Sequence, residues 1–299
     1  CESFSIYRSQ DSTGDCEVTV YPVFSGIELV YYDVHMQSCD INLAKGREML
    51  IITHCQEGRI EFEYKNGEYL YLASGDLSIQ KNTENIRHRY CPLSHYHGVS
   101  VAIDMNRVPR CFSCILDDVF VSPEELEMKF CSEKPYSIMR ENISIEHIFS
   151  ELYSVPENIR KGYHKVKVLE LLLFLSGLEY KGESEERRYF SRSQVTAAKE
   201  AKRYLLAHLD EHITITELAD MLGISSTSLK ICFKGVYGDT INGYITNCKM
   251  QKAASLLKNT DKSVLEIAGI VGYNNGSKFA GAFRRVMNKS PNEYRKSLV

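Results

Sequence analysis

Apolar and polar positions follow one rhythm in the first third of the chain and another in the rest. Over residues 18–104 they fall into short runs rich in β-branched and aromatic residues, at 27–32, 48–53, 59–65, 69–73 and 98–103. Such runs predict strands, and Asn66-Gly67 between two of them predicts a tight hairpin turn. Ser74-Gly75-Asp76 marks another turn. Strands this short and closely spaced suggest an antiparallel β-sandwich or small barrel. From residue 122 the period becomes helical. Ser122-Pro123-Glu124-Glu125 has a capping Ser and a first-turn Pro, and Val166, Leu169 and Leu173, with Leu172 and Leu175, mark an amphipathic helix that ends near Tyr180. Residues 181–193 are polar and charged and read as a linker, after which helical spacing resumes to the end.

The last hundred residues carry one pattern twice. Glu217-Leu218-Ala219 precedes Gly223, and Glu266-Ile267-Ala268 precedes Gly272. Each is followed by two bulky apolar residues four apart, Leu229/Phe233 and Phe279/Phe283. A short helix, a glycine turn and a second helix with one apolar stripe make a helix-turn-helix. Two copies, at about 213–238 and 262–287 and joined by a helical stretch at 242–258, imply reading of two successive major grooves of double-stranded DNA.

Composition adds two points. The 299 residues have a net charge of −3, which looks wrong for a DNA binder. The distribution resolves this: residues 191–299 hold 16 Lys+Arg against 9 Asp+Glu, and the remainder 20 against 30. A basic segment beside an acidic one is the footprint of a DNA-binding module attached to something else. No apolar run is long enough to span a membrane, and residues 1–26 lack an apolar signal core, so a cytoplasmic location is expected. In that setting the ten cysteines read as reduced, mostly buried thiols.

With Ile224, Leu229 and Phe233 in the core, the first copy should present Ser226, Thr227, Ser228, Lys230, Ile231 and Lys234, with Ser225 or Ser226 as cap. The second should present Asn275, Ser277, Lys278, Gly281, Arg284 and Arg285, after a turn one residue longer. Small residues allow close approach to the groove, and paired Arg suits phosphate or guanine. Residues 194–298 resemble the DNA-binding domain of the AraC/XylS family of transcription regulators. The likeness is carried by Ile267-Ala268, Val271-Gly272-Tyr273, Phe279, Phe283-Arg284, Lys289-Ser290-Pro291 and Glu293-Tyr294-Arg295. It implies two helix-turn-helix units joined by a linker helix and asymmetric binding on one face of the duplex. One departure is Ile231, where the family often has Arg. Ile231 and Cys232 would make the first reader more apolar and suited to a thymine methyl.

The resemblance further implies a cupin-like N-terminal barrel that senses a small-molecule effector, a helical segment that makes a homodimer, and RNA polymerase as a partner. The expected layout is α+β: a sensing β-domain at 1–120, a dimerising helical segment at 121–180, the linker at 181–193 and an all-α domain at 194–299. His88, Tyr90, His95 and His97 are candidates to line the effector pocket, and Leu169, Leu172 and Leu173 to pair protomers. His95-Tyr96-His97 also raises a catalytic cupin fused to a DNA-binding domain. That metal motif needs a Glu a few residues on, which residues 99–103 lack. No cofactor, metal or enzymatic activity is therefore expected. A third alternative is a ligand-independent dimeric activator. Cys111 and Cys114 have a redox or half-zinc spacing without a second pair, with Cys91 and Cys131 able to join them only through folding.

Overall fold

The computed structural model describes residues 4–39, 46–81, 85–109, 121–140, 143–180 and 190–297. The chain divides into two compact units, Cys1–Tyr189 and Phe190–Val299. Cys111 and Cys114 lie outside the described residues, as does most of the expected linker.

The first unit is built on strands β1 (Ser5–Asp11), β2 (Gly14–Phe24), β3 (Ile27–His35), β4 (Met49–Tyr64), β5 (Tyr69–Ala73), β6 (Leu77–Lys81), β7 (Ile86–Tyr90), β8 (Tyr96–Asp104) and β9 (Tyr136–Met139). All pairings are antiparallel, in the order β1-β2-β3-β8-β4-β6-β9. Alternation along each strand gives the sheet two apolar faces. Leu29, Leu50, Ile52, Val99 and Val101 pack against helices α1 (Pro123–Cys131), α2 (Ile143–Leu152) and α3 (Arg160–Gly177). Val18, Val20, Val30 and Tyr96 face a second core with Ile60, Phe62, Leu70 and Leu72.

Strand β4 makes this second layer possible. The two runs read separately at 48–53 and 59–65 form one 16-residue strand. Its register shifts between Cys55 and Glu57, and Gly58 has φ 82°, so it bends and its second half pairs instead with β5 and β7. A Cβ at Gly58 would collide with the His95 carbonyl oxygen, so a side chain is excluded there as well as disfavoured by φ.

The sheet does not close into the expected barrel: among the described residues, end strands β1 and β9 do not pair with each other. Every residue of β1 is exposed, so this strand adds no buried side chain to a closed core, and β9 is only four residues long. The hairpin turn at Gly67 (φ 84°), the turn at Gly75 and the Ser122 cap, whose Oγ accepts from the Glu125 amide at 3.3 Å, form as read.

Helix α3 corrects the dimer assignment. Leu172 is 1% exposed and belongs to the core with Val168, Leu171 and Leu175. A buried Leu contributes about 1.5–3 kcal/mol of stability and is not available to a second protomer. Leu169 and Leu173 are half-buried against the same core.

The second unit holds α4 (Arg192–Ala207), α5 (Ile215–Met221), α6 (Ser226–Tyr237), α7 (Ile241–Asn259), α8 (Val264–Ile270), α9 (Gly276–Met287) and α10 (Pro291–Lys296). The doubled motif has doubled caps. Thr214 and Glu217 form a capping box at the start of α5, and Ser263 and Glu266 repeat it at α8. These side-chain bonds satisfy amides that the first helical turn leaves orphaned. Gly223 and Gly272 turn the chain at φ 65° and 75°, and a Cβ on Gly272 would lie 2.8 Å from the Asp210 carbonyl oxygen.

Candidate nucleic-acid interface

Helices α6 and α9 each have twelve residues, one buried stripe and one open face. In α6 the stripe is Leu229, Cys232, Phe233, Val236 and Tyr237. Thr227, Lys230 and Lys234 are exposed, while Ser226, Ser228 and Ile231 are half-buried. The cap is Ser225, whose Oγ accepts from the Ser228 amide at 3.2 Å. Ser228 Oγ in turn accepts from Gln194 Nε2 at 3.1 Å, which fixes the start of α6 against α4. Cys232 is 0% exposed and its thiol donates to the Leu229 carbonyl, so it is a core residue and only Ile231 makes the first face more apolar.

In α9 the stripe is Phe279, Ala282 and Phe283. These pack with Met250, Leu257, Ile267 and Val271 from α7 and α8 and their boundary. Asn275, Ser277, Lys278, Gly281, Arg284 and Arg285 are all exposed. Asn275 is the cap, and its Oδ1 accepts from the Lys278 amide at 2.9 Å. Among the described residues, Lys230, Lys234, Lys278, Arg284 and Arg285 take part in no ion pair within the chain. Five exposed cations with two helix starts, on the unit with the positive charge excess, form a surface suited to phosphate and base edges. The linker helix α7 runs one residue beyond its expected limits at each end.

Residues 218–297 match the family model described as a helix-turn-helix domain. The chain is 31% identical over 153 residues to the xylose operon regulatory protein of Escherichia coli K12, covering 48% of this chain and 39% of that protein. It is 30% identical over 93 residues to the melibiose operon regulatory protein of the same strain, covering 31% of each. A putative AraC-like transcription regulator of Streptomyces lividans is 34% identical over 83 residues, 28% of this chain and 27% of that one. Over this stretch the second unit is similar to the helix-turn-helix domains of AraC-like transcription regulators. The matches span well under half the length of these relatives.

Two features of the second unit escaped the sequence reading, and only the first had a local signal. The Ser/Thr-x-x-Glu spacing at Thr214, Ser263 and Ser290 was a cap signature, and Ser191 with Gln194 is the Gln version at the start of α4. Contact between Phe190 and Gly235 of α6, where a Cβ would overlap the Phe190 ring, had no local signal.

In the first unit, the effector candidates fall on two strands, β7 and the start of β8. His88 is exposed on β7, where it pairs with Glu63 of β4. Tyr90, two residues on, is half-buried, and burial raises its phenol pKa. His95 and His97 stand side by side, ring centroids 5.5 Å apart, at the start of β8. None of the four lines the pocket of about 160 Å³ found between β2, β3 and the segment that leads into α3. That pocket is walled by Tyr21, Tyr31, Tyr153, Arg160 and His164. The Tyr31 hydroxyl donates to the Leu152 carbonyl at 2.9 Å and lies 3.2 Å from His164 Nε2. Burial, then the Arg160 charge, pushes the His164 pKa down to about 4, so the ring is neutral near pH 7.

The seven described cysteines are free, six of them buried. Cys91 and Cys131 lie in different cores of the first unit, so folding does not bring them together. Among the described residues, no helix is long and apolar enough to cross a membrane.

Proposed function

We propose that this chain is a sequence-specific regulator that places α6 and α9 in successive major grooves of double-stranded DNA. The observation that carries this is the matched construction of the two helices: capped starts, buried stripes, and exposed faces that carry cations. Thr227, Lys230, Ile231 and Lys234 form the first reading face, with Ser226 and Ser228 at its edge. Ser277, Lys278, Gly281, Arg284 and Arg285 form the second, with Asn275 holding its start. Lys and Arg supply most of the affinity through phosphates, while Ile231 and the small residues read base edges by apolar contact and close approach. RNA polymerase is the partner on which such regulation acts, in the cytoplasm.

The effector site we place in the pocket at Tyr31, Tyr153, Arg160 and His164, rather than at His88, Tyr90, His95 and His97. Three phenols, a guanidinium and a neutral imidazole around 160 Å³ suit a small aromatic or carboxylate-bearing molecule, roughly the size class that fills an engineered cavity of about 150 Å³. Exposed Val166 with half-buried Leu169 and Leu173 on α3 is the face we assign to a homodimer. The deciding experiment is selection of binding sites from a random duplex pool. Selected sequences should share two short blocks whose recovery depends on α6 and α9 separately. Enrichment of no common sequence would reject sequence-specific reading.

A further inference from the structure

The sheet register assembles a cluster that the sequence could not show. Asp33 of β3 is the pairing partner of His97 of β8, which in turn partners Glu57 at the β4 bulge. One row of the sheet thus reads carboxylate, imidazole, carboxylate across three strands. His35 lies two residues beyond Asp33, and His95 two residues before His97, so both join the same face. It is the face that carries Leu29, Tyr31 and Val99, beyond the part covered by the helices.

The donor atoms of this cluster lie close together. Asp33 Oδ1 is 2.9 Å from His35 Nε2 and 3.3 Å from His97 Nδ1, and Glu57 Oε2 is 3.8 Å from His95 Nε2. Tetrahedral zinc with bonds of about 2.0–2.1 Å separates its ligand atoms by roughly 3.3 Å. Two triads, Asp33/His35/His97 and Glu57/His95/His97, each keep their ligand atoms within 4.8 Å of one another, and they share His97. Glu17, next along the row, is taken up by Arg8 at 2.8 Å and does not compete.

We propose that this cluster binds one divalent transition-metal ion of the zinc class, with His97 as the shared ligand. Mixed imidazole and carboxylate donors select such an ion over calcium or magnesium, which take oxygen only. Each triad supplies one carboxylate, and the two triads together would balance a charge of two. The carboxylate missing from the segment after His97 is supplied by Glu57 and Asp33 from neighbouring strands. The open position left by three protein ligands is filled by water or by the second triad. This proposal is independent of the DNA-reading assignment.

The test uses the untagged full chain with Zn2+ in calorimetry and Co2+ in visible absorption. The expected result is one saturable Zn2+ site and tetrahedral Co2+ bands without thiolate charge transfer. His97→Asn should weaken binding more than about tenfold, a loss at least as large as that from an outer-shell partner. His35→Asn and His95→Asn then rank the two triads. Should His97→Asn fail to fold, the pair Asp33→Asn and Glu57→Gln, both on exposed side chains, tests the same site. Absence of saturable binding, binding unchanged in these variants, or strong thiolate bands pointing to the cysteines would each overturn the proposal.

Discussion

The two units differ in where their information lies. In the second, most features of the candidate reading surface are local: caps three residues apart, a glycine turn, an apolar stripe at four-residue spacing. In the first, the parts that matter meet only through the sheet. Asp33, His97 and Glu57 are neighbours because β3, β8 and β4 pair in one register, and Glu57 is in line only because β4 carries a bulge. Function built on helical repeats survives translation into a one-dimensional pattern. Function built across strands does not.

Core substitutions should show the largest effects and separate the units. Phe279→Ala removes a fully buried ring and should cost about 3–5 kcal/mol. It should abolish DNA binding while a denaturation transition from the first unit persists. Leu172→Ala should cost about 2–5 kcal/mol in the first unit. Val166→Ala on the same helix, 61% exposed, should stay within about 0.5 kcal/mol. Equal costs at Leu172 and Val166, measured by urea denaturation, would break the assignment of faces on α3.

Charge on the exposed side of that helix comes next. Val166→Lys with Leu173→Lys should give folded monomers by sedimentation and weaken binding to a paired site, because the linked second contact is lost. Dimers that persist would move the interface elsewhere.

Arg284→Ala with Arg285→Ala should flatten the slope of log affinity against log salt by about two, since two phosphate contacts disappear. An unchanged slope would remove both from the interface.

Acid should distinguish the units by a smaller margin. Burial pushes His54 down to about 4, and His164 sits equally low, against an ordinary value of 6.5. Folded pKa values below the unfolded ones give stability that is complete above pH 6.5 and lost as pH falls toward 4, because the unfolded chain takes up the protons first. In the second unit the capping carboxylates Glu217, Glu266 and Glu293 are lowered from 4.5 by bonds to Thr214, Ser263 and Ser290. Their contribution is complete above pH 4.5 and lost below it. Between pH 6.5 and 5 the first unit's melting transition should fall while these caps keep the second unchanged. Parallel shifts in calorimetry would contradict the difference.

How much could be read in advance follows the same line. Both helix-turn-helix units, the linker helix, the Ser122 cap and the Gly67 turn were legible because each rests on a few consecutive residues. Leu172 was misplaced because α3 carries more Leu than one stripe needs, and only packing against Phe149 and Val168 decides which are core. A barrel was expected from short, closely spaced strands and from the family resemblance, but closure depends on edges, and β1 has no buried residue. The pocket joins Tyr31 to His164 across 133 positions, a contact with no local signature.

The central claim is that α6 and α9 both read DNA. The most direct measurement is methylation interference on a duplex selected by the full chain. Two protected major-groove segments on one face of the duplex, about 10 bp apart for each bound domain, are expected. Lys230→Ala with Lys234→Ala should weaken one segment, and Arg284→Ala with Arg285→Ala the other. A single segment, lost with either pair of changes, would mean that one helix-turn-helix serves only to hold the other.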